Sequence, residues 1–200
     1  MNDATPSAAR RANIIGLGLI GGSLGLALRE RGWQVGGDDF DDERRERALL
    51  MGVLDQIGLY DDAAITFVAT PVLAVADQVK RALAETAGVV TDVGSVKGAI
   101  TAAIDDPRFV GGHPMAGSEL EGLDGADAAM FQGAVWVLTP TARTADPAFA
   151  ATAAVVAELG GEVLALPPDR HDQLVAVVSH VPHLTAAALM GVASQRAEEH

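Results

Sequence analysis

The sequence predicts an α/β protein in which a doubly wound, mostly parallel sheet is followed by the start of an all-α segment. Three features carry this expectation. Short apolar runs alternate with amphipathic stretches through most of the 200 residues. Five glycines crowd "GLGLIGGSLG", Gly16 to Gly25, directly behind Ile14 and Ile15. The composition then changes once, at "LPPDRHD". Strand followed by helix, repeated, builds a parallel sheet covered by helices on both faces.

Taken in order, the opening "MNDATPSAAR" lacks the apolar core of a signal peptide, and residues 1–10 read as a flexible tail. The runs at 13–17, 34–37, 65–69, 88–92, 109–112, 134–138 and 162–166 read as buried strands. Helical segments lie between them at 23–31, 42–51, 73–85, 96–104 and 147–159. Pro167 and Pro168 end the last strand, Asp169 can cap a new helix, and Asp172 stands three residues on in the capping-box position. The domain boundary falls there, with 11–167 as the sheet domain and 168–200 as the first helix of a helical domain. That helix is kinked at Pro182, and its apolar residues Leu184, Ala187, Ala188, Leu189, Met190 and Val192 lie nearly all round, so it must be covered by something.

Composition narrows the function classes. A formal charge of -13 at pH 7 repels phosphate polymers and argues against nucleic-acid binding. There is no cysteine, so disulfides, thiolate metal sites and cysteine nucleophiles drop out together, and redox chemistry needs a borrowed cofactor. No uninterrupted apolar run approaches a bilayer span, so a cytoplasmic protein with no membrane partner is expected.

The glycines have a chemical reading. Gly16, Gly18 and Gly21 form G-x-G-x-x-G between strand and helix: the first permits the tight turn, the second clears space for a pyrophosphate, and the third lets helix pack on strand. The phosphates then meet the helix N-terminus at Leu19 and Ile20, where unpaired N–H groups and the dipole favour anions. Asp38 ends the second strand about twenty residues on, where a carboxylate accepts hydrogen bonds from the adenosine ribose. A Rossmann-type domain binding NAD is therefore expected. A flexible glycine turn and a solvated acidic run, "DDFDDER", are the plainer alternatives. Asp38 and Asp39 would repel a 2′-phosphate, which favours NAD over NADP, while Arg44 and Arg45 pull the other way.

Three later loops follow predicted strands, where ligands bind in open α/β sheets. Thr70 and Pro71, in "VATPV", make a turn that could border the nicotinamide. In "TDVGSVKGAI", Gly94 gives a close turn, Ser95 a hydroxyl at a helix start, and Lys97 a cation able to hold an anionic substrate; the plain reading makes Ser95 an N-cap. His113 sits behind an apolar strand between the glycine pair of "GGHP" and Pro114, where a hydride-transfer enzyme needs a base. His180 and His183 are spaced to share a helical face, but Pro182 intervenes and no third ligand is at hand, so no metal is assigned.

Together "GLGLIGGSLG", "TDVGSVKGAI", "GGHPMAGSELEG" and "HDQLVAVVSHVPH", in this order, resemble the prephenate and arogenate dehydrogenase family of tyrosine biosynthesis. The resemblance implies an NAD-dependent oxidative decarboxylation: the ring alcohol gives hydride to the nicotinamide, the ring carboxylate leaves as carbon dioxide, and 4-hydroxyphenylpyruvate forms. It makes His113 the base, with a neutral imidazole suited to physiological pH by its ordinary pKa of about 6.5. It gives Ser95 to the same hydroxyl or to His113, and places Glu119, Ser179 and His183 at the substrate. Arogenate as substrate, or a non-catalytic NAD-binding module, are the other readings. Family members continue into helices that interlock two subunits and bring an arginine to the substrate carboxylate. Since this chain stops at "AEEH" without a helix stop signal, a fragment that binds NAD, forms a homodimer and turns over prephenate poorly or not at all is expected.

Overall fold

The computed structural model of the chain describes residues 10–198, the side chains at 180, 183 and 191–198 lying outside the description. The expected tail lies outside it too, except Arg10, which is anchored to Glu158 at 2.8 Å. The chain runs β1 (Arg11–Ile15), α1 (Leu19–Glu30), β2 (Gln34–Asp38), α2 (Asp42–Leu50), β3 (Gln56–Ile57), β4 (Ile65–Val68), α3 (Val72–Glu85), β5 (Val89–Asp92), α4 (Gly98–Ala102), β6 (Phe109–Pro114), β7 (Val135–Thr139), α5 (Asp146–Glu158), β8 (Glu162–Ala165), α6 (Pro168–Val175) and α7 (Val181–Glu198). The strands form one eight-stranded sheet in the order β3-β2-β1-β4-β5-β6-β7-β8.

Every pairing is parallel except β6 with β7. The exception has a simple cause. A parallel return needs a crossover, usually a helix, and the chain between β6 and β7 holds only the single 3-10 turn Leu123–Gly125. Both faces of the sheet are covered, and successive strand residues divide between them. Ile14 and Phe67 join one buried cluster with Trp136 and Phe131; their neighbours Ile15 and Val68 join the other with Val75 and Ile100.

Four expectations need correction. Helix α1 begins at Leu19, not at residue 23, because Gly21 and Gly22 belong to its first turns. Helix α4 covers only Gly98–Ala102. The last strand is not buried: all four β8 residues are exposed, since it is an edge strand paired with β7 alone. Asp169 does not cap α6, which starts at Pro168. Between α6 and α7 lies a π-helical turn, Ala176–His180, just ahead of Pro182. Such a turn re-registers the backbone where proline removes a donor. By length and composition alone, Pro168–Met190 could cross a membrane.

Candidate active site

The chain reverses its direction of growth between β1 and β4, and a cleft of about 720 Å³ opens at their carboxyl ends. Ligands bind at such switch points. Gly16 makes the turn at φ 97°, and a Cβ there would lie 2.6 Å from the Ala69 carbonyl oxygen. A Cβ on Gly21 would stand 1.9 Å from the Gly16 oxygen, so helix and strand touch through this glycine. Gly18 is different: nothing lies within 4 Å of its absent Cβ. It is the N-cap of α1 and lines the cleft, and no side chain caps the helix that begins at Leu19. Thr70 and Pro71 line the opposite wall, and the buried Thr70 hydroxyl has no hydrogen-bond partner. An open glycine, an uncapped helix end and an orphaned hydroxyl together fit a dinucleotide whose phosphates rest on α1.

At the adenosine end the two acids divide their work. Asp38 lines the cleft, with Arg45 Nη1 at 3.0 Å from one oxygen and Arg81 Nη1 at 2.7 Å from the other. Burial works to raise its carboxyl, and the two guanidinium groups outweigh it and hold it below the ordinary range. Asp39 is not part of a solvated run. Only 6% exposed, it accepts the Leu17 backbone N–H at 2.7 Å and pairs with Arg44 at 3.1 Å, tying the end of β2 to the glycine turn.

At the same sheet edge, β6 carries His113. Its glycines allow close strand packing: a Cβ on Gly111 would meet the Thr139 hydroxyl at 2.4 Å, and one on Gly112 the Asp92 carbonyl at 2.6 Å. Half-buried His113 places Nδ1 2.9 Å from Nε2 of His171, whose own Nδ1 lies 2.8 Å from Asp172 Oδ1. Asp172 in turn accepts the backbone N–H groups of Lys97 at 2.7 Å and Gly98 at 2.8 Å, so its carboxylate caps α4 rather than its own helix. Burial works to raise its carboxyl, but His171 and these two donors leave it below the ordinary range.

Lys97 does not face a substrate. It is wholly buried, and its ammonium contacts the equally buried Asp92. Burial pushes the ammonium below the ordinary lysine range, and Asp92 opposes that push. Asp92 also accepts the N–H groups of Gly94 at 2.9 Å and Gly112 at 3.2 Å, which fixes the loop after β5 against β6. Ser95 stands exposed on that loop and is not an N-cap; that position belongs to Lys97. Glu119 is exposed on the loop after β6, and no described contact joins it to the site. Ser179 lies half-buried on the π turn, and the side chains of His180 and His183 lie outside the described residues. Among the described residues no group of three or more His, Asp or Glu could hold a metal.

Sequence reasoning missed His171, Asp92 and Arg81. The signal for His171 was its place beside Asp172 in "HDQLVAVVSHVPH", read only as a helix start.

Two family models match the chain, "Prephenate dehydrogenase, nucleotide-binding domain" over residues 24–165 and "Prephenate dehydrogenase, dimerization domain" over 167–200. A prephenate dehydrogenase of Bacillus subtilis is 34% identical over 192 residues, covering 88% of this chain and 52% of that protein. The chain thus spans about half the length of that relative. Among solved structures, prephenate dehydrogenase from A. aeolicus in complex with hydroxyphenyl propionate and NAD+ superposes with a TM-score of 0.86 at 30% identity, covering 94% of this chain and 70% of that one. Synechocystis arogenate dehydrogenase gives a TM-score of 0.81 at 34% identity, covering 91% and 68%.

Proposed function

The chain belongs to the prephenate dehydrogenase family, and from that premise we propose that it serves the NAD-dependent oxidative decarboxylation of prephenate to 4-hydroxyphenylpyruvate in tyrosine biosynthesis. The observation that carries this reading is His113, held by β6 at the same carboxyl edge as the open glycine turn and backed through its Nδ1 by His171. Bound NAD supplies a nicotinamide ring that accepts hydride. His113 takes the proton of the ring hydroxyl as the carbinol carbon gives up its hydride and becomes a carbonyl. The electron pair of the carboxylate carbon bond then aromatises the ring as carbon dioxide leaves, and the phenolate oxygen takes the proton back. Ser95, exposed beside the helix that Asp172 caps, orients the hydroxyl. Gly16, Gly18, Gly21, Gly94, Leu19, Ile20, Thr70 and Pro71 form the cofactor side, with Asp38 toward the ribose; Glu119, Ser179 and His183 are assigned to the substrate side.

The test is direct. Protein mixed with NAD and prephenate should develop the absorbance band of reduced nicotinamide, and a parallel mixture with arogenate compares the two substrates. No rise with either overturns the reading; a rise with arogenate alone moves the activity to that substrate, as the name of the Synechocystis structure would favour.

We propose further that residues 11–167 and 168–200 are separate domains and that the second pairs two copies of the chain in the cytoplasm. Val178, Val181, Leu184, Leu189 and Met190 are more than half exposed, apolar side chains that a single copy of the chain leaves to water. Light scattering on a size-exclusion column should give twice the 20.5 kDa chain mass; a monomer removes the dimer.

A further inference from the structure

His171 is wholly buried, and its ring joins two polar partners. Nδ1 lies 2.8 Å from Asp172 Oδ1, and Nε2 lies 2.9 Å from His113 Nδ1. The two rings meet edge to face, with centroids 5.1 Å apart and planes at 70°, a geometry that aims ring nitrogens at each other rather than stacking the faces. A packing role alone would be met by an apolar side chain. This imidazole instead spends both nitrogens on a line that ends at His113.

The partners decide where the protons sit. Asp172 is ionised, since it accepts two backbone N–H groups as well as His171, and so it can only accept. The proton between Asp172 and His171 is therefore on His171 Nδ1. A neutral His171 then offers a lone pair at Nε2, and His113 must donate its Nδ1–H to it. That places the basic lone pair of His113 on Nε2.

We infer that His171 is a positioning residue that fixes the tautomer and ring orientation of His113 and stabilises the imidazolium formed when His113 takes a proton. The role rests on the proposed function of His113 as base. It follows the logic by which a carboxylate holds a catalytic imidazole in hydrolytic triads, with a second imidazole interposed. Among the described residues, the charged groups that bear on Asp172 behind the pair include the ammonium of Lys97, at the start of α4, which is itself paired with Asp92 on β5.

The experiment has an arm that needs no turnover. Nitrogen-15 ring spectra of the full chain, with His113→Asn to assign the signal, should show His113 protonated at Nδ1 near neutral pH. An Nε2–H tautomer there, with His171 charged, overturns the inference whatever the activity. In the second arm, His171→Leu should lower kcat about 10- to 100-fold with KM within about twofold, since only part of the general-base contribution depends on orientation. His171→Gln, whose amide oxygen can accept from His113 Nδ1, should recover part of that loss. The kcat profile of the Leu variant should also move its acid limb relative to the parent. Equal losses in Leu and Gln variants with an unmoved pH profile would make His171 structural. A parent inactive toward both substrates defeats the proposed function, while the spectra still decide the tautomer.

Discussion

The carboxylate of Asp172 accepts the backbone N–H of Lys97 at 2.7 Å, across 75 residues of sequence. A helix of the C-terminal segment thereby supplies the cap that α4 lacks, since the cap position of α4 has no side chain able to fill it. The same carboxylate orders His171, so one acid ties α4, α6 and the His113 site together.

Asp172→Asn should therefore cost stability as well as turnover. The amide keeps one oxygen to accept a backbone N–H but sets its NH2 against the other donor, and the loss of one capping bond costs about 1 kcal/mol, visible as a lower thermal midpoint at neutral pH. The pH dependence has a definite sign. The folded carboxyl lies below the unfolded value of about 3.9, so its contribution is fully present above that pH and is lost as pH falls through the folded value. The Asn variant should show a flatter acid limb in a plot of stability against pH. An unchanged limb would mean that Asp172 carries no linkage.

The glycine turn separates two effects by position. Gly21→Ala puts a methyl 1.9 Å from a backbone oxygen that cannot move independently, and should cost at least about 3 kcal/mol. Gly18→Ala meets nothing within 4 Å and should leave the melting temperature nearly unchanged, yet weaken NAD by calorimetry because its methyl enters the space left for the phosphates. Undiminished NAD affinity in the second variant would place the dinucleotide elsewhere.

Asp38 should set the cofactor preference by holding Arg45 and Arg81, at 3.0 and 2.7 Å. With both guanidinium groups engaged, NAD should bind better than NADP. Asp38→Ala removes the carboxylate that engages both guanidinium groups beside the ribose, leaving Arg45 with Asp42 and Arg81 with Glu85, which are more exposed. It should strengthen NADP about tenfold, the value of one charge-assisted bond. Equal affinity of the parent for both cofactors, or no gain in the variant, would show that the arginines are already available.

Much of this architecture is written in local patterns. The alternation of apolar strand and amphipathic helix located seven of the strands, and G-x-G-x-x-G located the turn at φ 97°. β3 escaped because two residues cannot display a period. The exposure of β8 depends on its place at the sheet edge, which its apolar composition does not reveal. Asp172 was legible as the capping-box partner of Asp169 in its own helix but not as the cap of a distant one, because a capping box is recognised from spacing within one segment. His113 was legible from its rigid glycine and proline neighbours, whereas its partner His171 arrives from another helix 58 residues on.

His113→Asn should lower turnover about 10²- to 10⁴-fold, the usual contribution of a general base. NAD affinity should be unchanged, since His113 does not line the cofactor cleft. Near-normal turnover would return His113 to a structural role.

Lys97 gives the sharpest contrast between composition and placement. As the one cation of "TDVGSVKGAI" it invites assignment to an anionic substrate, yet its side chain is wholly buried against Asp92. Were it a substrate ligand, Lys97→Met would raise KM and spare the melting temperature. Instead the substitution leaves a buried carboxylate with only the Gly94 and Gly112 N–H groups, and breaking one side of a buried ion pair costs about 3–5 kcal/mol. The effect should also reach catalysis, because Asp92 holds the N–H of Gly112, the residue before His113, and a carboxylate that turns toward water drags that strand end with it. A large fall in thermal midpoint together with lower kcat is the expected result. An unchanged midpoint with a raised KM would restore Lys97 to the substrate.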